Sequence, residues 1–329
     1  MTGQGMDRRR LLGLAGLGAA GAVLAACSKS GSGAAWNAGG SPGASNAGPT
    51  PTPTPSTRDG LLLGSGKPVH VRLYQSDGAT YGVGLPIIAY LSTTITDSHT
   101  FIGASKVKVN GTPAEGAWYF QKSAIYADYP VEAHYRLQDY WPAHATVRLD
   151  LPVQGLSAGD GLVYDNGLTL DMNIGAKNVS KVDGHTERMI VTSDDAPKFN
   201  FPVSLGKAST PTFSGVKVVM EKNAVKEMIN TTPGEAYDIK VPWSVRITNS
   251  GEFIHSAAWN GGNIGSRSTS HGCTNLNVSD AQNFFNFAQI GDVTEYTNTG
   301  GATMPSWDGY GDWNLSWATW SGGGLIPTK

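Results

Sequence analysis

Short alternations of apolar and polar residues dominate the first half of the folded part of the chain. Val69, Val71 and Leu73 alternate with polar neighbours, and the same period-two pattern returns at 147–151. Gly, Pro, Asn and Asp clusters separate these runs, and no long 3.6-residue period interrupts them. Evenly spaced short strands with turn signals between them predict an immunoglobulin-like β-sandwich over residues 60–168.

Residues 169–300 keep strand-like patterns but contain one clear amphipathic helix. Ser279 and Gln282 form a candidate capping box at its start, and Gly291 is a candidate C-terminal stop. The predicted fold class is therefore mainly β, a sandwich followed by a β-rich second domain with one helix. Four apolar residues share one face of that helix because they fall at i, i+3, i+4 and i+7: Ala281, Phe284, Phe285 and Ala288.

A tryptophan-rich tail, residues 301–329, follows the second domain. So many indoles in a short segment must pack against something. We predict that they pack on one of the two domains, which we prefer to the alternative of a glycan-binding platform. Four tryptophans fall close together in this tail: Trp307, Trp313, Trp317 and Trp320.

Composition excludes several classes of protein. A chain of 329 residues predicts two domains on a prior of about 150 residues each. Charged residues make up 15% and the net charge is −2, which argues against a nucleic-acid binder with a clustered basic surface. The only cysteines are Cys27 and Cys273, too few for a disulfide framework or a thiolate-rich metal site.

The N-terminus has the pattern of an export signal. Three arginines, 8–10, precede an apolar stretch at 11–26 that is shorter than the roughly 20 residues of a membrane span. The sequence Leu-Ala-Ala-Cys ending at Cys27 resembles a bacterial lipobox, which implies a signal peptide over 1–27 and a lipid on Cys27. Residues 7–12 also resemble a twin-arginine signal, so the export route stays open. A plain cleaved signal peptide or a short anchor is the alternative.

Residues 28–59 have the composition of a linker. The first part is rich in Gly, Ser, Ala and Asn, and 49–55 is a Pro-Thr run that favours an extended spacer. With a lipid on Cys27, the linker is a tether on the outer face of the cytoplasmic membrane, facing the cell wall. Disorder without a reach requirement is the alternative.

The stretch 250–277 carries the chemistry-bearing residues. Cys273 follows Ser270-His271-Gly272, and His255 ends a strand-like run. A thiol needs a base or a cation to react near neutral pH, and the Gly-, Ser- and Asn-rich loop between them can fold back to bring His255 to Cys273. Backbone N–H groups at the turn before the thiol would suit an oxyanion. The residues alone leave two other interpretations of Cys273, a small buried hydrophobe and an intermolecular disulfide.

This stretch resembles the signature of L,D-transpeptidases of the YkuD type. The signature is a histidine, 14–17 residues, Ser/Thr-His-Gly-Cys, a usually apolar residue and an asparagine. Here fourteen residues separate His255 from Ser270, and Thr274 stands at the usually apolar position. The resemblance covers about residues 65–322, including an immunoglobulin-like domain and a C-terminal extension typical of actinobacterial members.

The resemblance implies a role for each matching residue. Cys273 would be the nucleophile and His255 the base, with the backbone carbonyl of Ser256 orienting the imidazole. The oxyanion region would be shaped by Gly272, His271 and Tyr237. The alternative for Tyr237 and Trp259 is that they are aromatic residues of the core. The pocket-lining positions that match the family are Tyr237, Met228, Trp259, Ser270 and Asn275.

The resemblance also implies an activity. The enzyme would form 3→3 cross-links between peptidoglycan tetrapeptide stems by cysteine acyl transfer, and carbapenem β-lactams would acylate the same thiol. It implies no metal and no cofactor. Transfer of the acyl group to water, as in an L,D-carboxypeptidase, or to a protein amine is the first alternative. A non-catalytic cell-wall binding lipoprotein is the second.

Overall fold

The computed structural model describes residues 55–231 and 233–326. The predicted signal peptide, Cys27 and the predicted linker up to residue 54 lie outside the described residues. Within the described ranges, no helix has both the length and the apolar character needed to cross a bilayer. The described part of the linker includes a short strand that pairs antiparallel with the next one.

Thirteen strands and one short helix build the N-terminal domain. The helix is α1, His99–Ala104. The strands, in chain order, are β1 Thr57–Arg58, β2 Leu61–Leu62, β3 Lys67–Val69, β4 Val71–Leu73, β5 Thr80–Tyr81, β6 Ile87–Leu91, β7 Lys106–Val109, β8 Thr112–Pro113, β9 Gly116–Lys122, β10 Val131–Leu137, β11 Thr146–Leu151, β12 Leu162–Tyr164 and β13 Leu168–Ile174.

Two sheets form the sandwich of this domain. One has the order β4-β6-β10-β9 and the other the order β5-β13-β11-β7-β8. The alternating apolar residues predicted to face inward, Val147, Leu149 and Leu151, are buried between the sheets. The immunoglobulin-like sandwich predicted from the period-two pattern is confirmed. Strand β13 begins at the predicted domain end, residue 168, and continues to residue 174, yet it pairs with β11 in this sheet.

Nine strands and one helix build the second domain. The helix is α2, Val278–Phe287, and a short third helix, α3, Trp317–Trp320, lies in the tail. The strands are β14 Asn178–Asp183, β15 Arg188–Ser193, β16 Ala196–Pro202, β17 Gly215–Val218, β18 Glu221–Asn230, β19 Tyr237–Arg246, β20 Phe253–Ser256, β21 Thr274–Leu276 and β22 Val293–Thr297. They form two sheets, with the orders β16-β15-β14-β22-β17 and β18-β19-β20-β21.

Helix α2 packs its predicted face on the sheet that carries the site. Ala281, Phe284 and Ala288 are buried in a core shared with Ile254 of β20 and Leu276 of β21. The predicted amphipathic helix is therefore confirmed, and it supports the two strands from behind. The position of the helix matters because β20 and β21 hold the residues of the site.

The predicted ends of this helix are wrong. The chain leaves β21 and enters the helix almost at once, so Asn277 rather than Ser279 is the N-cap, and the Asn277 amide donates to Asp280 at 3.1 Å. At the other end the helix stops at Phe287. Gly291 lies beyond that end, and its conformation serves the packing between domains.

Gly291 lies where the two domains meet. Its φ is +98°, and a Cβ there would lie 2.6 Å from the backbone nitrogen of Gly82. The N–H groups of Gly82 and Gly84 donate to the carbonyls of Ile290 and Gly291, both at 2.8 Å. Only glycines allow this backbone-to-backbone approach. The described residues, 55–231 and 233–326, accordingly belong to one compact unit.

The tryptophan-rich tail packs on the sandwich, as predicted. Indole N–H groups of Trp313 and Trp320 donate to the carbonyls of Gly84 and Ala117 at 2.8 and 2.9 Å. The ring of Trp320 stacks on Tyr119 with centroids 4.8 Å apart. Trp307 is the exception, since 56% of its surface is exposed.

A buried carboxyl at the domain junction makes a prediction about stability. Asp292 is 3% exposed and accepts from the Gln289 N–H and the Asn178 amide at 2.8 and 3.1 Å, while its Oδ1 has no partner among the described residues. Burial raises the pKa of Asp292 to about 7, above the ordinary 3.8. The folded state therefore binds a proton more tightly than the unfolded chain does.

We expect this carboxyl to reduce stability as the pH rises from about 4 to about 7. A shift of this size corresponds to at most about 4 kcal/mol, because each pKa unit is about 1.4 kcal/mol. Asp292→Asn keeps a carbonyl oxygen for the two donors but cannot ionise. Urea denaturation at pH 5, 6, 7 and 8 should show the variant gaining stability relative to the wild type as the pH rises. Parallel pH profiles of the two proteins would contradict this assignment.

Candidate active site

Parallel pairing of β20 with β21 brings His255 and Cys273 together. Ile254 pairs with Thr274 and His255 with Asn275. Cys273 immediately precedes β21, so it comes one position before Thr274. Successive side chains in a strand alternate between faces, and Cys273 and His255 are therefore two positions apart in register and on the same face. The connection between them includes a short 3₁₀ helix, Ala258–Asn260.

His255 is held as a neutral imidazole. The ring is 3% exposed, and its Nδ1–H donates to the backbone carbonyl of Ser256 at 2.9 Å. Burial lowers the pKa of His255 to about 4, against a smaller opposite effect of that carbonyl. With Nδ1 protonated, the lone pair of Nε2 is free to accept a proton. The contact predicted for Ser256 is present, and the role of the pair in catalysis stays a prediction.

Cys273 is held as a thiol. It is partly buried, and its Sγ–H donates to the carbonyl of Gly251 at 3.7 Å. Burial raises the pKa of Cys273 to about 12, although the N–H of Phe253 lowers it in part. The resting state is therefore a thiol and a neutral imidazole that line the same cavity. The thiol needs a base to become a nucleophile at neutral pH.

The turn before the thiol is shaped by Gly272 and Ser270. Gly272 has φ +120°, and its N–H donates to the Ser270 hydroxyl oxygen at 3.1 Å. The Ser270 hydroxyl donates in turn to the carbonyl of Cys273 at 2.6 Å. The N–H of Gly272 is thus engaged inside the turn, and the oxyanion role predicted for Gly272 stays a prediction.

Tyr237 and Asn275 are the polar groups placed to meet a ligand. Burial raises the pKa of Tyr237, and negative charge on Cys273 would raise it further, so the phenol stays protonated and can donate. The buried Oδ1 of Asn275 has no hydrogen-bond partner among the described residues. It can accept from a ligand N–H group.

A cavity of about 670 Å³ opens over Cys273 and His255. The β18–β19 hairpin forms one wall and the connection after β20 the other. Trp259 is 59% exposed and its ring is stacked 6.0 Å from the His255 ring, so it is not a core aromatic. All five predicted pocket residues line the cavity: Met228, Tyr237, Trp259, Ser270 and Asn275.

An ionic cluster that the sequence did not indicate lies beside the cavity. His271 Nε2 lies 3.1 Å from Glu235 Oε2, and Lys207 pairs with the same carboxylate. The His271 ring also lies 5.5 Å from the ring of Tyr237. Lys207 and His271 are 64 positions apart in the chain, and no local pattern connects them.

The fold and the site define a two-domain protein: an immunoglobulin-like sandwich precedes a β-rich domain in which a cysteine and a neutral histidine line one cavity. Residues 177–295 match the family model of the YkuD L,D-transpeptidase catalytic domain. Residues 63–157 match the model of a bacterial Ig domain. The chain therefore contains a YkuD-type catalytic domain that follows a bacterial Ig domain.

Known relatives agree with this assignment. L,D-transpeptidase 2 of Mycobacterium tuberculosis (strain CDC 1551 / Oshkosh) is 31% identical over 274 residues, which cover 80% of this chain. The chain spans 65% of the length of that relative. A solved L,D-transpeptidase from Mycobacterium smegmatis is 25% identical, with a TM-score of 0.57, over 70% of this chain and 100% of that one.

One further solved structure shares the fold. The L,D-transpeptidase LdtMt1 in complex with imipenem has a TM-score of 0.57 at 23% identity, over 72% of this chain and 100% of that one. Imipenem is a ligand of that protein.

Proposed function

We propose that the protein is an L,D-transpeptidase that forms 3→3 cross-links between peptidoglycan stems through Cys273. The observation that carries this proposal is the neutral His255, oriented by the Ser256 carbonyl, on the same strand face as Cys273 at the floor of a cavity of about 670 Å³. A thiol and an oriented base beside polar donors are the minimum equipment for acyl transfer.

The first half of the reaction forms a thioester. The Cys273 sulfur attacks the carbonyl between the third residue of a tetrapeptide stem and its terminal D-Ala, while the thiol proton passes to His255 Nε2. Tyr237, protonated because burial raises its pKa, donates toward the oxygen that becomes negative. The C–N bond then breaks, and His255 returns the proton to the amine of the departing D-Ala.

The second half transfers the acyl group. The side-chain amine of a diaminopimelate residue on a second stem attacks the thioester, and His255 accepts the proton that this nitrogen loses. The C–S bond breaks, and Cys273 recovers its proton as the cross-linked product leaves. A strained β-lactam carbonyl meets the same thiol, so carbapenems are proposed as covalent inhibitors.

The proposal includes a location. Lipid on Cys27 would anchor the chain on the outer face of the cytoplasmic membrane, and the linker would place the catalytic domain near the cell wall. Export by the twin-arginine or the general route is equally compatible with this arrangement. Incorporation of a radiolabelled fatty acid into the wild type, and its loss in Cys27→Ala, is the expected result.

The test of the reaction uses a disaccharide-tetrapeptide as substrate. The wild type should convert it to a dimer that lacks one D-Ala, seen by mass spectrometry, and Cys273→Ala should leave it unchanged. Release of monomeric tripeptide would assign the enzyme as a carboxypeptidase. No turnover by the wild type, with no imipenem adduct on Cys273, would leave a binding lipoprotein as the better description.

A further inference from the structure

A buried ion pair lies close to the nucleophile. Lys217 on β17 has no exposed surface, and its Nζ lies 2.5 Å from Oε2 of Glu252, which is 7% exposed. The other carboxylate oxygen of Glu252 accepts from the N–H of Phe213 at 2.7 Å. The pair therefore joins strand β17, the loop at residue 213 and the residue just before β20.

The same pair reaches the chain on both sides of Cys273. Before it, the Cα of Gly272 faces Glu252, and a Cβ there would lie 3.4 Å from Oε1. After it, the hydroxyl of Thr274 is hydrogen-bonded to the Tyr296 hydroxyl at 2.8 Å, and Lys217 Nζ lies 3.8 Å from the centre of the Tyr296 ring. The carboxylate thus faces the turn before the thiol. The lysine contacts the tyrosine that is hydrogen-bonded to the strand after it.

Stability alone does not account for this arrangement. Taking two charges out of water is costly, and apolar residues of similar volume often serve as well or better in a core. Thr274 is a second polar group where an apolar residue would serve, because this position is usually apolar in the family. Its hydroxyl is hydrogen-bonded to the buried Tyr296 hydroxyl. These buried polar side chains all lie near Cys273, which indicates that they serve the nucleophile.

Charge effects on the thiol do not account for it either. Glu252 raises the pKa of the Cys273 thiol and Lys217 lowers it, so the two contributions oppose each other. The remaining effect that the pair can have is on the position of the Cys273 thiol relative to His255. A shift of about 1 Å between a nucleophile and its base can cost about 100-fold in rate.

We propose that Lys217 and Glu252, acting with Tyr296 and Thr274, are positioning residues that hold the backbone on both sides of Cys273 so that its thiol meets His255. The inference rests on the proposed cysteine acyl transfer and adds these four side chains to it. They act through Cys273 and do not contact the substrate.

The first test removes the charges without leaving one of them alone. Lys217→Met/Glu252→Gln keeps a long side chain over the Tyr296 ring and an oxygen for the Phe213 N–H. We expect it to fold with a melting temperature close to the wild type and to be acylated by imipenem about 10- to 100-fold more slowly. Alkylation by iodoacetamide at pH 10, which needs no base, should proceed at the wild-type rate.

The second test does not depend on tolerance of the core to the double change. Thr274→Val removes only the hydroxyl beside the nucleophile, and Tyr296→Phe removes its partner while the ring stays under Lys217. The matched control is Thr294→Val, because Thr294 has the same burial on β22 and donates to the backbone carbonyl of Lys217 at 3.3 Å. Thr274→Val and Tyr296→Phe should each slow imipenem acylation several-fold, and Thr294→Val should not.

The outcomes separate this inference from the proposed function. A wild type that neither converts the disaccharide-tetrapeptide nor is acylated by imipenem would overturn both. Wild-type acylation rates in Thr274→Val and Tyr296→Phe, or in the folded double variant, would overturn the inference and leave the acyl transfer intact. A rate loss matched by an equal loss of alkylation at pH 10 would indicate general damage to the site and also overturn it.

Discussion

Replacing His255 with alanine should slow acylation of Cys273 by imipenem by about 10²–10⁴-fold at pH 7. The thiol pKa of about 12 leaves only about one thiolate in 10⁵ at that pH. The wild type avoids this shortage because Nε2 of a neutral imidazole takes the proton during the attack. The variant has no such group, and the reaction must wait for free thiolate.

The pH profile distinguishes loss of a base from loss of structure. Because the pKa of His255 is lowered to about 4, the wild-type rate should be flat across the neutral range and fall only as the pH approaches that value. The variant should instead gain about tenfold in rate per pH unit, since thiolate grows at that rate below its pKa. Stopped-flow acylation between pH 4 and 9 measures both profiles.

The control for this experiment is a histidine outside the site. His144 is exposed and pairs with Asp194 at 2.9 Å, so His144→Ala should keep the wild-type profile. A resting thiolate–imidazolium pair would behave differently, since iodoacetamide would then label the free enzyme rapidly at pH 7. Rapid labelling of that kind, or a flat profile in His255→Ala, would contradict the assignment.

Local pattern was enough to predict most elements of the fold. The sandwich strands and the apolar face of α2 follow from periods of two and 3.6 residues, which burial of a single face imposes on neighbouring positions. The helix ends were missed because Asn277 and Ser279 are both good caps, and the adjoining β21 decided between them. Gly291 was misassigned because its constraint comes from Gly82, on another domain.

The site also has one part that the sequence predicts and another that it does not. Its motif residues lie within about twenty positions, so His255, Ser270 and Cys273 could be grouped from sequence and are brought together by one parallel strand pair. The groups that surround them come from far along the chain. Glu252 and Lys217 are 35 positions apart, and no sequence rule pairs a buried lysine with one particular carboxylate. Such partners are defined only when the sheets assemble.

The C-terminal tail depends on one buried cation. Arg136 on β10 is 2% exposed, and its guanidinium donates to the carbonyls of Leu137 and Leu315 at 3.0 and 3.1 Å. Its Cζ lies 4.5 Å from the ring centres of Trp313 and Trp320. Burial lowers the pKa of Arg136, and Asp312, which is fully buried, partly restores it.

Arg136→Met should lower the free energy of unfolding by about 3–5 kcal/mol, because it leaves four carbonyls, those of Leu137, Gln138, Asp312 and Leu315, without their guanidinium donor and removes the cation between the indoles. The Asp312 carboxylate keeps its direct partner, since its Oδ1 lies 2.9 Å from His134 Nδ1. The melting temperature should fall by about 2–4 °C for each kcal/mol. Urea denaturation followed by tryptophan fluorescence measures the loss. The control is Arg148→Met, an exposed arginine that pairs with Asp150 and Asp171, and it should change stability far less. Equal denaturation midpoints for the two variants would mean that apolar burial of the indoles, and not the cation between them, holds the tail on the sandwich.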